Sequence, residues 1–145
     1  MKALLQRVKS ATVFINNELY SQINQGILIL LGVEKGDDSS QADWLISKIL
    51  KLRIFEDENQ KMNLSVSDIK GELLVVSQFT LAGDCKKGTR PSFDNAKNPN
   101  EANKLYEYFV SELKKSGLSV KTGVFGAMMD VSLINDGPVT FMLEK

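Results

Sequence analysis

Ser77, Gln78 and Thr80 stand in "VVSQFTL", residues 75–81, at the end of what reads as the strongest strand in the chain. A hydroxyl or an amide can position and polarise a substrate, but neither is a useful base at neutral pH. A strand that stops there also leaves backbone N–H groups without ladder partners, and two such donors can form an oxyanion hole. The chemistry on offer is therefore stabilisation of a charged oxygen rather than proton transfer. Alternation along a strand puts Leu73, Val75, Ser77, Phe79 and Leu81 on one face, and Leu74, Val76, Gln78 and Thr80 on the other. The second face turns polar at Gln78. Two readings stay open: the strand emerges into solvent, or Gln78 and Thr80 line a cleft.

Two further stretches carry polar chemistry. "KKGTRPSF", residues 86–93, follows the polar strand end and gathers Lys86, Lys87 and Arg90 around a glycine. Phosphate is the natural partner of such a cluster; the alternative is a solvated loop. "NDGPVT", residues 135–140, is a turn by composition and predicts a hairpin between the last two strands. Its Gly137-Pro138 pair leads straight into "VTFML", where flanking carbonyls can serve as a backbone recognition device.

Other chemistries are excluded by what the chain lacks. There is no histidine, which removes Ser-His-Asp and Cys-His catalysis, a histidine base and histidine metal sites. The one cysteine, Cys85, can form neither an internal disulfide nor a cysteine zinc cluster. It lies between Asp84 and Lys86 and reads as a bystander. Asp57, Asn59 and Lys61 imitate the first spacings of a calcium loop, but lysine at the third ligand position destroys it. No phosphate loop or dinucleotide fingerprint is present. Neither metal nor cofactor is expected. Lys plus Arg and Asp plus Glu balance at 18 each, so contact with nucleic acid must come from a local patch.

These residues need a scaffold. A chain of 145 residues fits one domain, 1–145, with a sizeable core. Residues 2–9 and 11–15 read as one long or bent strand, "ELYSQI" as a second, and "GILILLGV" as a third, buried on both faces. A helix follows, capped by Asp37 or Asp38, with Ala42, Leu45, Ile46 and Ile49 as its apolar stripe. "EDENQKMN" is read as a polar connection and residues 71–81 as the strand described above. A second helix starts at Asn98 with Pro99 in its first position and Glu101 placed to complete a capping box. Its stripe is Ala102, Leu105, Tyr106, Phe109 and Leu113, and Gly117 stops it. Three short strands, near 118–121, 127–134 and 139–144, finish the chain. The N-terminus lacks the apolar block of a signal peptide, and "GILILLGV" falls far short of the ~20 apolar residues of a membrane span. A soluble, cytoplasmic protein without membrane contact is the expectation.

"LRIFEDENQKMNLSVSD", "GELLVVSQFTLAGDCKKGTRPSF", "LYEYF", "TGVFGAMM" and "VSLINDGPVTF" together resemble D-aminoacyl-tRNA deacylases of the bacterial and eukaryotic type, over essentially the whole chain. "SQFTL" and "GPVT" are specific in combination. Gln60 departs from a glycine common in the family, and Lys97-Asn98 replaces a more usual Ala-Pro-type lead into the second helix. Pattern and resemblance together give an α/β protein in the broad sense, α+β by pattern. It is strand-rich, with mixed, mainly antiparallel, barrel-like sheets covered by two amphipathic helices in α/β/β layers.

The resemblance implies hydrolysis of the ester joining a D-amino acid to the 3′-terminal adenosine of tRNA, with glycyl-tRNA(Ala) as a second substrate. It implies Ser77, Gln78, Phe79 and Thr80 as the catalytic motif. It implies a homodimer in which a cis Gly137-Pro138 enters the partner's active site as a chirality gate, and Arg7 as support for that loop. Lys86, Lys87 and Arg90 become candidates for tRNA phosphates. A histidine-free chain suits this reaction, because an aminoacyl ester is already activated and orientation plus oxyanion stabilisation suffice. The competing readings are a non-catalytic RNA-end binding module built on the basic loop, and a small-molecule hydrolase of the same fold.

Overall fold

Alternating side chains carry the N-terminal segment along one continuous strand, β1 (Lys2–Ile15), in the computed structural model, which describes residues 1–145. β1 organises the sheet because it is long enough to serve three partners. Its first half pairs antiparallel with β3 (Gly26–Gly32), and its second half with β2 (Glu18–Ile23). Its other edge pairs along nearly its whole length with β8 (Asp130–Glu144). Beyond β3 the sheet continues in parallel through β6 (Glu72–Ser77) and β7 (Val120–Thr122). The sheet curls until β2 meets β7, where the Ser21 hydroxyl donates to the Thr122 carbonyl at 2.7 Å. The architecture is strand-rich α+β with a nearly closed, barrel-like mixed sheet.

Both faces of the central strands are dry, as the unbroken apolar run of β3 requires. One face packs Leu5, Ile27, Ile29, Leu73 and Val75 under the two helices. These are α1 (Ser39–Lys51) and α2 (Pro99–Lys114), which contribute Leu45, Ile49, Phe109 and Leu113. The other face closes a smaller core of Val8, Val13, Ile23, Leu28, Leu74 and Val76 within the curl of the sheet. Each fully buried side chain of this size contributes roughly 1.5–3 kcal/mol.

Asp38 caps α1, accepting from the Ser40 N–H, and Gln41 reaches back to complete a capping box. Asp37 is buried instead, and its carboxylate accepts from the Met1 ammonium. On α2 the Asn98 side chain accepts from the Asn100 N–H at 3.0 Å, but Glu101 does not reach back, so the box predicted there forms only in half.

Three segments differ from the sequence reading. The polar connection after α1 contains a hairpin of β4 (Arg53–Glu56) and β5 (Met62–Ser65). Asp57 organises its turn by accepting from the Asn59 and Lys61 N–H groups and the Asn63 amide. Gln60 sits there at φ 59°, a left-handed conformation that glycine adopts at less cost. The strand predicted over 71–81 ends at Ser77 and gives way to a 3-10 turn, Phe79–Ala82. The last two predicted strands are one, β8, and "NDGPVT" is a bulge within it rather than a hairpin. Both flanks of that bulge keep pairing with β1 in one direction: Gln6 faces Thr140 and Val8 faces Asn135.

Candidate active site

The turn after β6 exists because the β3–β6 ladder runs out. The Gln78 N–H takes the Leu31 carbonyl at 2.8 Å, and β3 ends one residue later at Gly32. Gln78 then leaves the strand conformation (φ −143°, ψ 80°), and the chain tightens, with the Leu81 N–H on the Gln78 carbonyl at 3.2 Å. The N–H groups of Phe79 and Thr80, first in this turn, have no acceptor within the chain. The predicted sharing of faces by Ser77, Phe79 and Leu81, and by Gln78 and Thr80, therefore fails beyond Ser77. Gln78 and Thr80 are joined differently: the Gln78 amide donates to the Thr80 hydroxyl. Gly32 lets the turn sit this close, since a Cβ there would lie 2.9 Å from the Leu81 Cβ and 3.1 Å from the Gln78 carbonyl oxygen.

A cleft of about 640 Å³ opens beside the turn. Ser77, Gln78 and Phe79 form one wall, Asn98, Ala102 and Tyr106 of α2 a second, and Phe125, Met128 and Met129 a third. Phe79 is 59% exposed and leans on Phe93, with ring centroids 5.0 Å apart. Thr80 lies at the rim, outside the lining. No carboxylate or imidazole lines the cleft. Its one phenol, Tyr106, is pushed up by burial and so stays protonated. The one amine in the lining, Lys97, donates to the Lys35 and Asp37 carbonyls at 3.1 and 2.9 Å. The arrangement can bind an apolar or aromatic group and offer hydrogen bonds to an oxyanion, with neither carboxylate nor imidazole to act as a base.

Sequence reasoning gave no role to Tyr106, Phe125 or Met128. The apolar run "GAMM" was the available signal, and the structure leaves its Met128 91% exposed.

Lys86, Lys87 and Arg90 occupy the tip of a loop closed by reciprocal Asp84–Ser92 backbone hydrogen bonds of 2.8 and 2.9 Å. They are exposed and free of ion pairs, and they stand outside the cleft lining. Phe93 ties the base of this loop to the turn.

Arg7 is only 4% exposed. Its Nε donates to the Asp136 carbonyl at 2.8 Å and its Nη1 to the Ile54 carbonyl at 2.7 Å, so it fastens the bulge to β4. Asn135 braces the bulge from below, donating to the Val139 carbonyl and accepting from the Val139 N–H. Gly137 has φ 143° and no room for a Cβ, which would meet Val139 Cγ2 at 2.6 Å; the Gly137–Pro138 bond is cis. The structure does not bring this bulge to the turn of the same chain. Arg7 faces Ile27, whereas Ser77 faces Leu31, and β1 and β3 lie between β8 and β6. Strand rise and spacing put the two motifs on the order of 15–20 Å apart.

A family described as D-Tyr-tRNA(Tyr) deacylase matches residues 4–144. A D-aminoacyl-tRNA deacylase of Geotalea daltonii is 60% identical over 99% of this chain and 96% of its own length. One of Pseudoalteromonas translucida is 63% identical over 99% of both chains. A solved structure titled c-Myc DNA Unwinding Element Binding Protein superposes with a TM-score of 0.95 at 43% identity, covering 100% of this chain and 99% of that one. Another, of a probable eukaryotic D-amino acid tRNA deacylase, has a TM-score of 0.84 at 18% identity over 98% and 97% of the two chains, and shares the fold. The matches define the class: hydrolases that act on aminoacyl-tRNA. Within that class, the chain belongs to the D-Tyr-tRNA(Tyr) deacylase family.

Proposed function

We propose that the whole chain, acting as one domain in the cytoplasm, hydrolyses the ester of D-aminoacyl-tRNA at the turn Ser77–Thr80. The observation that carries this reading is the pair of unpartnered N–H groups at Phe79 and Thr80, beside a cleft lined by neither carboxylate nor imidazole. Water attacks the ester carbonyl carbon, and its oxygen becomes an oxyanion held by those two donors. The bond to the ribose oxygen then breaks, and that oxygen takes the proton that water loses, relayed by the neighbouring ribose hydroxyl. Free tRNA and a D-amino acid result. The Thr80 hydroxyl accepts from Gln78 and has no base beside it, which argues for a water nucleophile rather than a covalent intermediate. No metal or cofactor enters this scheme.

Selection of chirality comes from Gly137-Pro138 of a second copy, inserted into the cleft. The separation of bulge and turn within one chain supports this, as do the exposed apolar side chains Ile134, Phe141 and Met142 that flank the bulge on β8. Backbone carbonyls of the bulge hold the substrate ammonium, and its bulk stands where an L side chain would point. A D side chain faces open space. Glycine has nothing to exclude, so glycyl-tRNA(Ala) is also cleaved. Lys86, Lys87 and Arg90 bind acceptor-stem phosphates.

Two measurements test this reading. Release of D-tyrosine from D-tyrosyl-tRNA by the purified protein is expected; binding of the tRNA end without release would instead identify an RNA-end binding module. Sedimentation should show an active dimer, and an active monomer would refute the cross-subunit gate.

A further inference from the structure

The segments that carry the three walls of the cleft meet at one atom, the carbonyl oxygen of Val75 in β6, two residues before Ser77. It accepts the Tyr106 hydroxyl of α2 at 2.8 Å and the Gly123 N–H at 3.0 Å. Gly123 opens the segment that carries Phe125, Met128 and Met129, and it is packed so tightly that a Cβ would lie 2.6 Å from the Met129 sulfur. The Tyr106 ring meets Phe125 at 5.9 Å between centroids. Tyr106 is thus bonded through its hydroxyl to the strand that leads into the first wall, packed against the third through its ring, and itself part of the second. We infer that Tyr106 is a positioning residue that sets the width of the cleft, and thereby how tightly the 3′ end of the tRNA substrate is held. This rests on the reading of the Ser77–Thr80 cleft as the ester site.

The hydrogen bonds that shape the turn itself run from Gln78 to Leu31 and from Leu81 to Gln78, and none passes through Tyr106. Loosening Tyr106 therefore shifts the walls relative to the turn and leaves the geometry of the turn intact. Binding weakens while the chemical step persists, which appears as a raised KM at constant kcat. Burial also keeps the phenol protonated, so the hydroxyl remains a donor across the working pH range.

Tyr106→Phe tests this. The variant keeps the ring against Phe125, and the Val75 carbonyl keeps its bond from Gly123, so the fold survives. KM for D-tyrosyl-tRNA should rise about 3- to 10-fold, the factor carried by one buried hydrogen bond, with kcat within about 2-fold of wild type. Tyr108→Phe is the control: it also loses a hydroxyl, bonded at 2.8 Å to Asp43 of α1 and outside the cleft lining, and KM should stay put. Backbone hydrogen exchange should quicken across residues 123–129 in the Tyr106 variant alone. An active wild type with KM unmoved in Tyr106→Phe, or with kcat and not KM lost, overturns this inference alone. A wild type inert on the ester overturns the reading of the cleft and this inference with it.

Discussion

Replacing Gly32 by alanine tests whether the backbone of the Phe79–Ala82 turn is the catalytic element. The new methyl would lie 2.9 Å from the Leu81 Cβ and 3.1 Å from the Gln78 oxygen. Carbon atoms in contact settle at about 3.5–4.0 Å, so the shortfall is roughly 0.6–1.1 Å. Neither neighbour is the far end of a flexible side chain; both belong to the turn. Gly32 is not in the left-handed region, so alanine suits its backbone and the strain falls on the turn. A displacement of about 0.5–1 Å carries the Phe79 and Thr80 N–H groups with it. Misplacement by about 1 Å costs up to ~100-fold, so kcat should fall ~10- to 100-fold. Overpacking should cost about 1–3 kcal/mol of stability, which leaves the protein folded at assay temperature. Single-turnover release of D-tyrosine with enzyme in excess isolates the step. Gly36→Ala, with no atom within 4 Å of the added methyl, should behave as wild type. A folded Gly32→Ala enzyme with the wild-type rate would refute the role given to the turn.

Thr80→Ala should keep much of its activity, because the backbone N–H survives; loss of nearly all activity in a folded variant would make the hydroxyl a reagent. Arg7→Met strips bonds from the Ile54 and Asp136 carbonyls and should lower stability in urea by about 3–5 kcal/mol. Arg7→Lys should recover only part of this, since one ammonium cannot span both carbonyls. Asp38, Asp57 and Asp68 are held below the ordinary carboxylate value chiefly by hydrogen bonds from Ser40, Asn63 and Ser65, respectively. Folded-state values below the unfolded ones mean that their stabilisation is complete above about pH 4 and is lost as pH falls further. Urea midpoints between pH 2 and 6 should decline on the acid side, and less steeply in Asp57→Asn.

What could be read from the sequence was local. The stripe of α1 and the Asn98 cap of α2 depend on residues two to four apart, and both formed. The end of β6 depends on Leu31 and Gly32, more than forty residues away, so nothing within "VVSQFTL" announces the turn. "NDGPVT" has the composition of a hairpin, and only the length of β1, paired on both flanks, makes it a bulge. The β4–β5 hairpin was hidden because its strands are only four residues long and the turn between them, residues 57–61, is polar and mostly exposed. In the cleft, Ser77, Gln78 and Phe79 stood out as polar and aromatic residues after an apolar strand. Tyr106 looked like any other member of an apolar helix stripe, because its bond to Val75 is set by the fold.

The most direct test of the proposed function is the initial rate of deacylation of D-tyrosyl-tRNA against L-tyrosyl-tRNA by the same purified enzyme. A site of backbone donors gated by Gly137-Pro138 releases the D amino acid and leaves the L ester at its uncatalysed rate. Equal rates for the two esters, or no release from either, would contradict it.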